Sequence, residues 1–188
     1  MSIPRILILG YGNPGRGDDG LGPETVNRLE TLRQHGLLPS TSNLTLLTDF
    51  QLQVEHVLDM EGQDLCLFID AHLKAPLPFS FERVYPEAVP SFSTHRVSPG
   101  TLLKVHEDLK GPSPPAFALG IPATAFDLGA PLSEQAQNAL DEAFRWVEYL
   151  IKHPETAIWD KLSRSLRSLY VDADPSSSSK APPLVQDP

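Results

Sequence analysis

Along this chain, short blocks of consecutive apolar residues alternate with longer stretches in which apolar positions recur every third or fourth residue. Residues 5–10 run Arg-Ile-Leu-Ile-Leu-Gly, an apolar block closed by glycine, as expected for a strand covered on both faces. Residues 44–47 read as a second strand ending at Thr48-Asp49, and residues 65–70 as a third ending in Asp70. Residues 81–85 predict a peripheral strand and residues 116–121 another. Between these blocks the spacing turns helical. Pro23 suits a first turn, Val26, Leu29 and Leu32 continue one face, and Gly36 stops it. Val54, Val57 and Leu58 predict a second helix over 54–60, and residues 99–109 a third. The strongest helical pattern covers 133–152, where Ala136, Leu140, Ala143, Phe144, Val147, Leu150 and Ile151 form one stripe.

Strands alternating with helices imply right-handed βαβ units. The expected fold is therefore α/β, a three-layer α/β/α sandwich around a mainly parallel twisted sheet of about five strands. One domain should span 1–153, with a helical extension over 154–171 whose Leu162, Leu166 and Leu169 face the body. Residues 172–188 are rich in serine and proline and are expected to be a disordered tail. In such sheets ligands gather beyond the carboxyl ends of the strands. Gly10 onward, Asp49 and Asp70 all lie at such ends.

Composition narrows the function. The 188 residues are 40% hydrophobic and 21% charged, ordinary values for a soluble globular protein. A net charge of -9 argues against nucleic acid and against an anionic membrane surface as partners. The single cysteine, Cys66, excludes an intramolecular disulfide framework and a multi-cysteine zinc site, and its place in an apolar run predicts a core residue. No segment reaches the roughly 20 apolar residues that span a bilayer. The first residues lack the apolar region and cleavage site of a secretory leader, so a cytoplasmic location is expected.

The loop after the first strand carries the candidate chemistry. Gly10-Tyr11-Gly12-Asn13-Pro14-Gly15 matches G-x-G-x-x-G, a dinucleotide-binding pattern, and Asp49 stands where a ribose-binding acid would. Two features oppose that reading: Pro14 removes an amide donor from the phosphate cradle, and Asp18-Asp19 would repel a pyrophosphate. A plainer alternative is an Asx turn with solvated aspartates capping the next helix. The acidic pair also offers hard oxygen ligands or an acid/base group. Other hydrolytic machinery is missing: there is no G-x-S-x-G elbow and no H-E-x-x-H. Adjacent side chains such as Asp18 and Asp19 usually diverge, so they do not suit an aspartic-protease dyad.

The full segment from Gly10 to Gly22 resembles the signature of the hydrogenase maturation peptidases, which trim the C-terminus of a NiFe-hydrogenase large subunit after nickel insertion. Asp49, Asp70 and a histidine near Ser98-Pro99 extend the likeness in the same order over about residues 5–150. The resemblance implies an endopeptidase whose partner is the large-subunit precursor, with nickel recognised in that substrate and no organic cofactor. It implies Asp19, Asp70 and His95 as metal ligands; water would then be activated by the metal or by a carboxylate, for which Asp18, Asp19 and Asp49 are the candidates. It further implies Gly10, Gly12, Asn13 and Gln51 as contacts to the substrate tail. One departure stands out. Members of the family often carry histidine directly after Ser-Pro, where this chain has Gly100, and His95 is the nearest substitute. His72 would share the face of Asp70 if the third strand continued, whereas His56 and His106 read as surface or capping residues. Two other functions compete: a non-catalytic, nickel-sensing assembly factor, and the dinucleotide-binding enzyme.

Overall fold

The computed structural model describes residues 3–40, 43–87 and 97–171. Five strands, β1 (Arg5–Tyr11), β2 (Asn43–Asp49), β3 (Leu65–His72), β4 (Ser80–Val84) and β5 (Ala116–Pro122), form one sheet in the order β2-β1-β3-β5-β4. The first four positions are parallel, and β4 closes one edge antiparallel to β5. The apolar runs of β1 and β3 are fully buried because helices cover both faces.

Alternate residues of each strand feed two separate cores. Ile6, Ile8, Leu65, Leu67 and Ile69 pack beneath α1 (Leu21–Gln34), α4 (Glu134–Lys152) and α5 (Thr156–Val171). Leu7, Leu9, Cys66 and Phe68 pack on the opposite face beneath α2 (Val57–Met60) and α3 (Pro99–Lys110). The three-layer sandwich expected from the sequence is thus the observed fold. Burial pushes the Cys66 thiol up to about 12, making it an inert core residue.

The helices differ from expectation mainly at their ends. A 3-10 turn at Gly17–Gly20 leads into α1, which begins two residues before Pro23. Proline is harmless there, since the first four amides of a helix lack intrahelical acceptors anyway. The helix expected over 54–60 is a 3-10 turn, Val54–His56, followed by the single turn of α2. α5 begins at Thr156, and Trp159 anchors it. The indole is fully buried against Phe81 and Phe117, and its Nε1 donates to the His153 carbonyl at 2.9 Å. Arg83 of β4 adds an ion pair to Asp160 at 3.1 Å. Leu166 is buried and Leu162 packs at the core's margin. The Leu169 side chain and the tail over 172–188 lie outside the described residues.

The chain passes from β1 to β2 on one side and returns to β3 on the other, which puts the topological switch point between β1 and β3. Such a point leaves a crevice at the carboxyl ends of the two strands.

Candidate functional site

Three strand ends place their polar residues on one face at that crevice. Leu9 and Phe68 point into the α2/α3 core and Leu47 packs at its margin, so Tyr11, Asp70 and Asp49, two residues further on, lie on the same side. Tyr11 is paired in register with Asp49, and the Gly10–Ile69 pair sets Asp70 beside Tyr11 on the other flank. With strands about 4.8 Å apart, the two carboxylates flank the tyrosine across about 10 Å of sheet.

The loop after β1 brings Asp19 to this row. Its Oδ2 accepts the Asn13 amide at 3.0 Å, while the Gly12 amide donates to the Asp49 carbonyl at 3.0 Å. Gly12 adopts φ 135°, and a Cβ there would collide with the Asp19 carbonyl. Glycine at this position therefore holds Asp19 against the loop. Gly10 and Gly22 serve packing: a Cβ on Gly10 would strike the Gly22 carbonyl, so α1 sits unusually close to the sheet. Gly10, expected to touch substrate, is instead buried beneath α1. Asn13 is half-buried and its side chain accepts the Gly15 amide at 2.8 Å, while Gln51 is exposed at the rim.

Asp18 and Asp19 have opposite surroundings. The Asp18 side chain is fully buried and turned toward the connection between β5 and α4. Its carboxylate accepts the Thr124 and Ala125 amides at 2.9 Å each, the Ser133 amide at 2.7 Å and the Ser133 hydroxyl at 2.9 Å. Burial alone would push this carboxyl up, but the donors from Ser133, Thr124 and Ala125 together hold it below the ordinary carboxylate range. Ser133 also caps α4 by accepting the Ala136 amide at 3.1 Å. Asp18 was a candidate for activating water. The structure makes it an anchor that ties the loop to the start of α4.

The histidines separate as clearly. His72 continues β3 on the face of Asp70, is exposed, and accepts the Lys74 amide at Nδ1 (3.3 Å). His106 is buried, and its Nδ1 reaches the Gly111 carbonyl at 3.2 Å, a cap for the end of α3. His56 is also buried and also caps, taking the Gln53 amide at Nδ1 (2.9 Å). Its other nitrogen faces the site, 3.4 Å from Asp49 Oδ2. That contact was not legible in the sequence, because it depends on the path of the 50–56 loop. His95 lies outside the described residues.

Gly100 is buried, and Glu87 fills the space beside it: a Cβ there would lie 2.7 Å from Glu87 Cγ. The Glu87 amide donates to the Gly100 carbonyl at 3.0 Å, and the Ser98 hydroxyl donates to Glu87 Oε2 at 3.2 Å. No sequence pattern announced Glu87. Among the described residues, no three His, Cys, Asp or Glu side chains form a group able to hold a metal ion. Asp19 and Asp70 offer two hard oxygen donors there.

The loop's amides are already engaged by its own side chains and by Asp49, and Asp19 stands where a phosphate would lie. This arrangement opposes the dinucleotide reading. Among the described residues no helix is long and apolar enough to cross a membrane.

No family model and no curated protein matches the chain. Solved structures do. The NiFe-hydrogenase maturation protease HycI from Thermococcus kodakarensis KOD1 superposes with a TM-score of 0.60 at 21% identity, over 79% of this chain and 93% of that one. The hydrogenase maturating endopeptidase HybD from E. coli gives 0.60 at 21% identity, over 80% and 93%. A hydrogenase 2 maturation peptidase from Thaumarchaeota archaeon SCGC_AB-539-E09 gives 0.52 at 22% identity, over 76% and 95%. The fold is therefore that of the hydrogenase maturation proteases.

Proposed function

We propose that this chain is a hydrogenase maturation endopeptidase, removing the C-terminal extension of a nickel-loaded NiFe-hydrogenase large-subunit precursor. The observation that carries the reading is the acidic row at the switch point: Asp49 and Asp70 on one face of the sheet, with Asp19 held at its edge by the Gly12–Asn13 loop. A cleft lined by carboxylates at the carboxyl ends of parallel strands suits a cation-bearing substrate. The likeness in fold to solved maturation proteases supports the same reading.

In this account Asp19 and Asp70 contact the nickel that the precursor already carries, with His95 as the third contact. Asn13 and Gln51 line the path of the substrate tail, and Gly12, buried like Gly10 with its amide on the Asp49 carbonyl, shapes the loop from behind. Asp49 activates water: Asp18 has its carboxylate engaged inside the protein and Asp19 is assigned to the nickel, which leaves Asp49 with the general-base role. The partner is a protein, not nucleic acid or a bilayer, consistent with the acidic charge. The compartment proposed is the cytoplasm, where such a precursor would be met before assembly.

Substoichiometric chain is expected to convert a molar excess of nickel-loaded precursor to the trimmed form, read by intact mass. Tight association with no change in precursor mass would instead identify a non-catalytic assembly factor.

A further inference from the structure

The carboxylate of Asp49 is held from three directions. The Phe50 amide donates to Oδ1 at 2.6 Å, and the Gln53 side-chain amide donates to Oδ2 at 3.0 Å. The third neighbour is His56 Nε2, 3.4 Å from Oδ2, with the imidazole 11% and the carboxylate 25% exposed. On the far side of the ring, Nδ1 accepts the Gln53 backbone amide at 2.9 Å. That bond decides the tautomer. A nitrogen accepting an N–H carries no proton, so the neutral ring bears its proton on Nε2, facing Asp49.

The same bond decides which partner does the chemistry. The only lone pair of the His56 ring is occupied by the Gln53 amide, so His56 is unable to take a proton from water without breaking that contact. An ionised carboxylate has about four acceptor positions, of which the two amides take two by hydrogen bonds and His56 Nε2, at 3.4 Å, faces a third. We infer that His56 is a positioning residue for Asp49, its Nε2–H fixing the carboxylate so that the remaining lone pair faces the substrate; this rests on the peptidase reading above. In the step it serves, Asp49 takes a proton from water as the water oxygen bonds to the scissile carbonyl carbon. The carbon–nitrogen bond then breaks, and the proton passes from Asp49 to the departing amine.

Two substitutions separate positioning from mere support of the loop. Asparagine at 56 places its carbonyl near the former Nδ1, keeping the Gln53 contact and losing the donor to Asp49. Glutamine reaches the former Nε2, keeping the donor and losing the Gln53 contact. With nickel-loaded precursor, His56→Asn is expected to lower kcat by about tenfold or more, with KM within about twofold and Tm near that of the wild type. His56→Gln is expected to recover most of kcat despite a lower Tm. Wild-type kcat in His56→Asn, or equal loss in both variants, overturns the positioning role. A wild-type chain that trims nothing overturns the proposed function and the base role of Asp49 together. If either variant fails to fold, nitrogen-15 NMR of the wild-type ring decides: an Nε2–H tautomer whose signal shifts in Asp49→Asn supports the pair, and an Nδ1–H tautomer overturns it.

Discussion

Asp19→Asn and Asp70→Asn are each expected to leave the large-subunit precursor untrimmed, with kcat/KM reduced by about 100-fold or more while the chain stays folded. Asparagine is close to isosteric with aspartate, and its carbonyl retains the ability to accept the Asn13 amide that holds Asp19 against the loop. What disappears is the negative charge that the proposed function sets against the substrate's nickel. Asp70 follows the buried run of β3 at the crevice, so neutralising it removes the second carboxylate from outside the apolar core. The check is precursor mass after a fixed incubation, beside circular dichroism and Tm for each variant. Normal trimming by both folded variants would remove the acidic row from the mechanism.

Asp18→Ala should produce the largest change in stability. It strips the acceptor from three backbone amides and one hydroxyl that converge on a fully buried carboxylate. Leaving such groups unpaired costs about 3–5 kcal/mol. Against a total of roughly 5–15 kcal/mol that is a large share, and Tm should fall by about 10 °C. The pH dependence has a definite sign. The folded carboxyl is held below its ordinary value, so its contribution is present above the unfolded value of about 3.9 and is lost as pH falls through the lower folded value. The stability difference between wild type and Asp18→Asn should thus stay constant near neutrality and shrink below about pH 4. Chemical denaturation of both proteins across pH 2–7 reads this directly. A difference that grows on acidification would contradict the anchoring role.

These two predictions assign opposite work to neighbouring residues, and that is where sequence reading stopped. The strands were legible because β1, β3 and β5 are apolar blocks, and α4 because its stripe repeats over five turns. The grouping of the loop after β1 with Asp49 and Asp70 was legible because all three lie at the carboxyl ends of apolar strands, whereas the place of Asp19 within it depends on the Asn13 amide. The fate of Asp18 did not, because its partners lie 106 to 115 residues away, in a connection with no pattern of its own. Gly10 looked like part of a ligand-binding loop, yet its role is set by the close approach of Gly22. His56 was legible as a cap but not as a neighbour of Asp49, since both contacts arise from the same tight turn. Periodicity reports which face a residue shares; it does not report which distant backbone will meet it.

The most direct test of the account compares intact precursor mass after incubation with this chain, with nickel loaded and with nickel withheld. Loss of the C-terminal extension from the loaded precursor alone is the predicted result. Equal trimming of both forms, or of neither, would contradict the claim that the acidic cleft recognises the substrate through its metal.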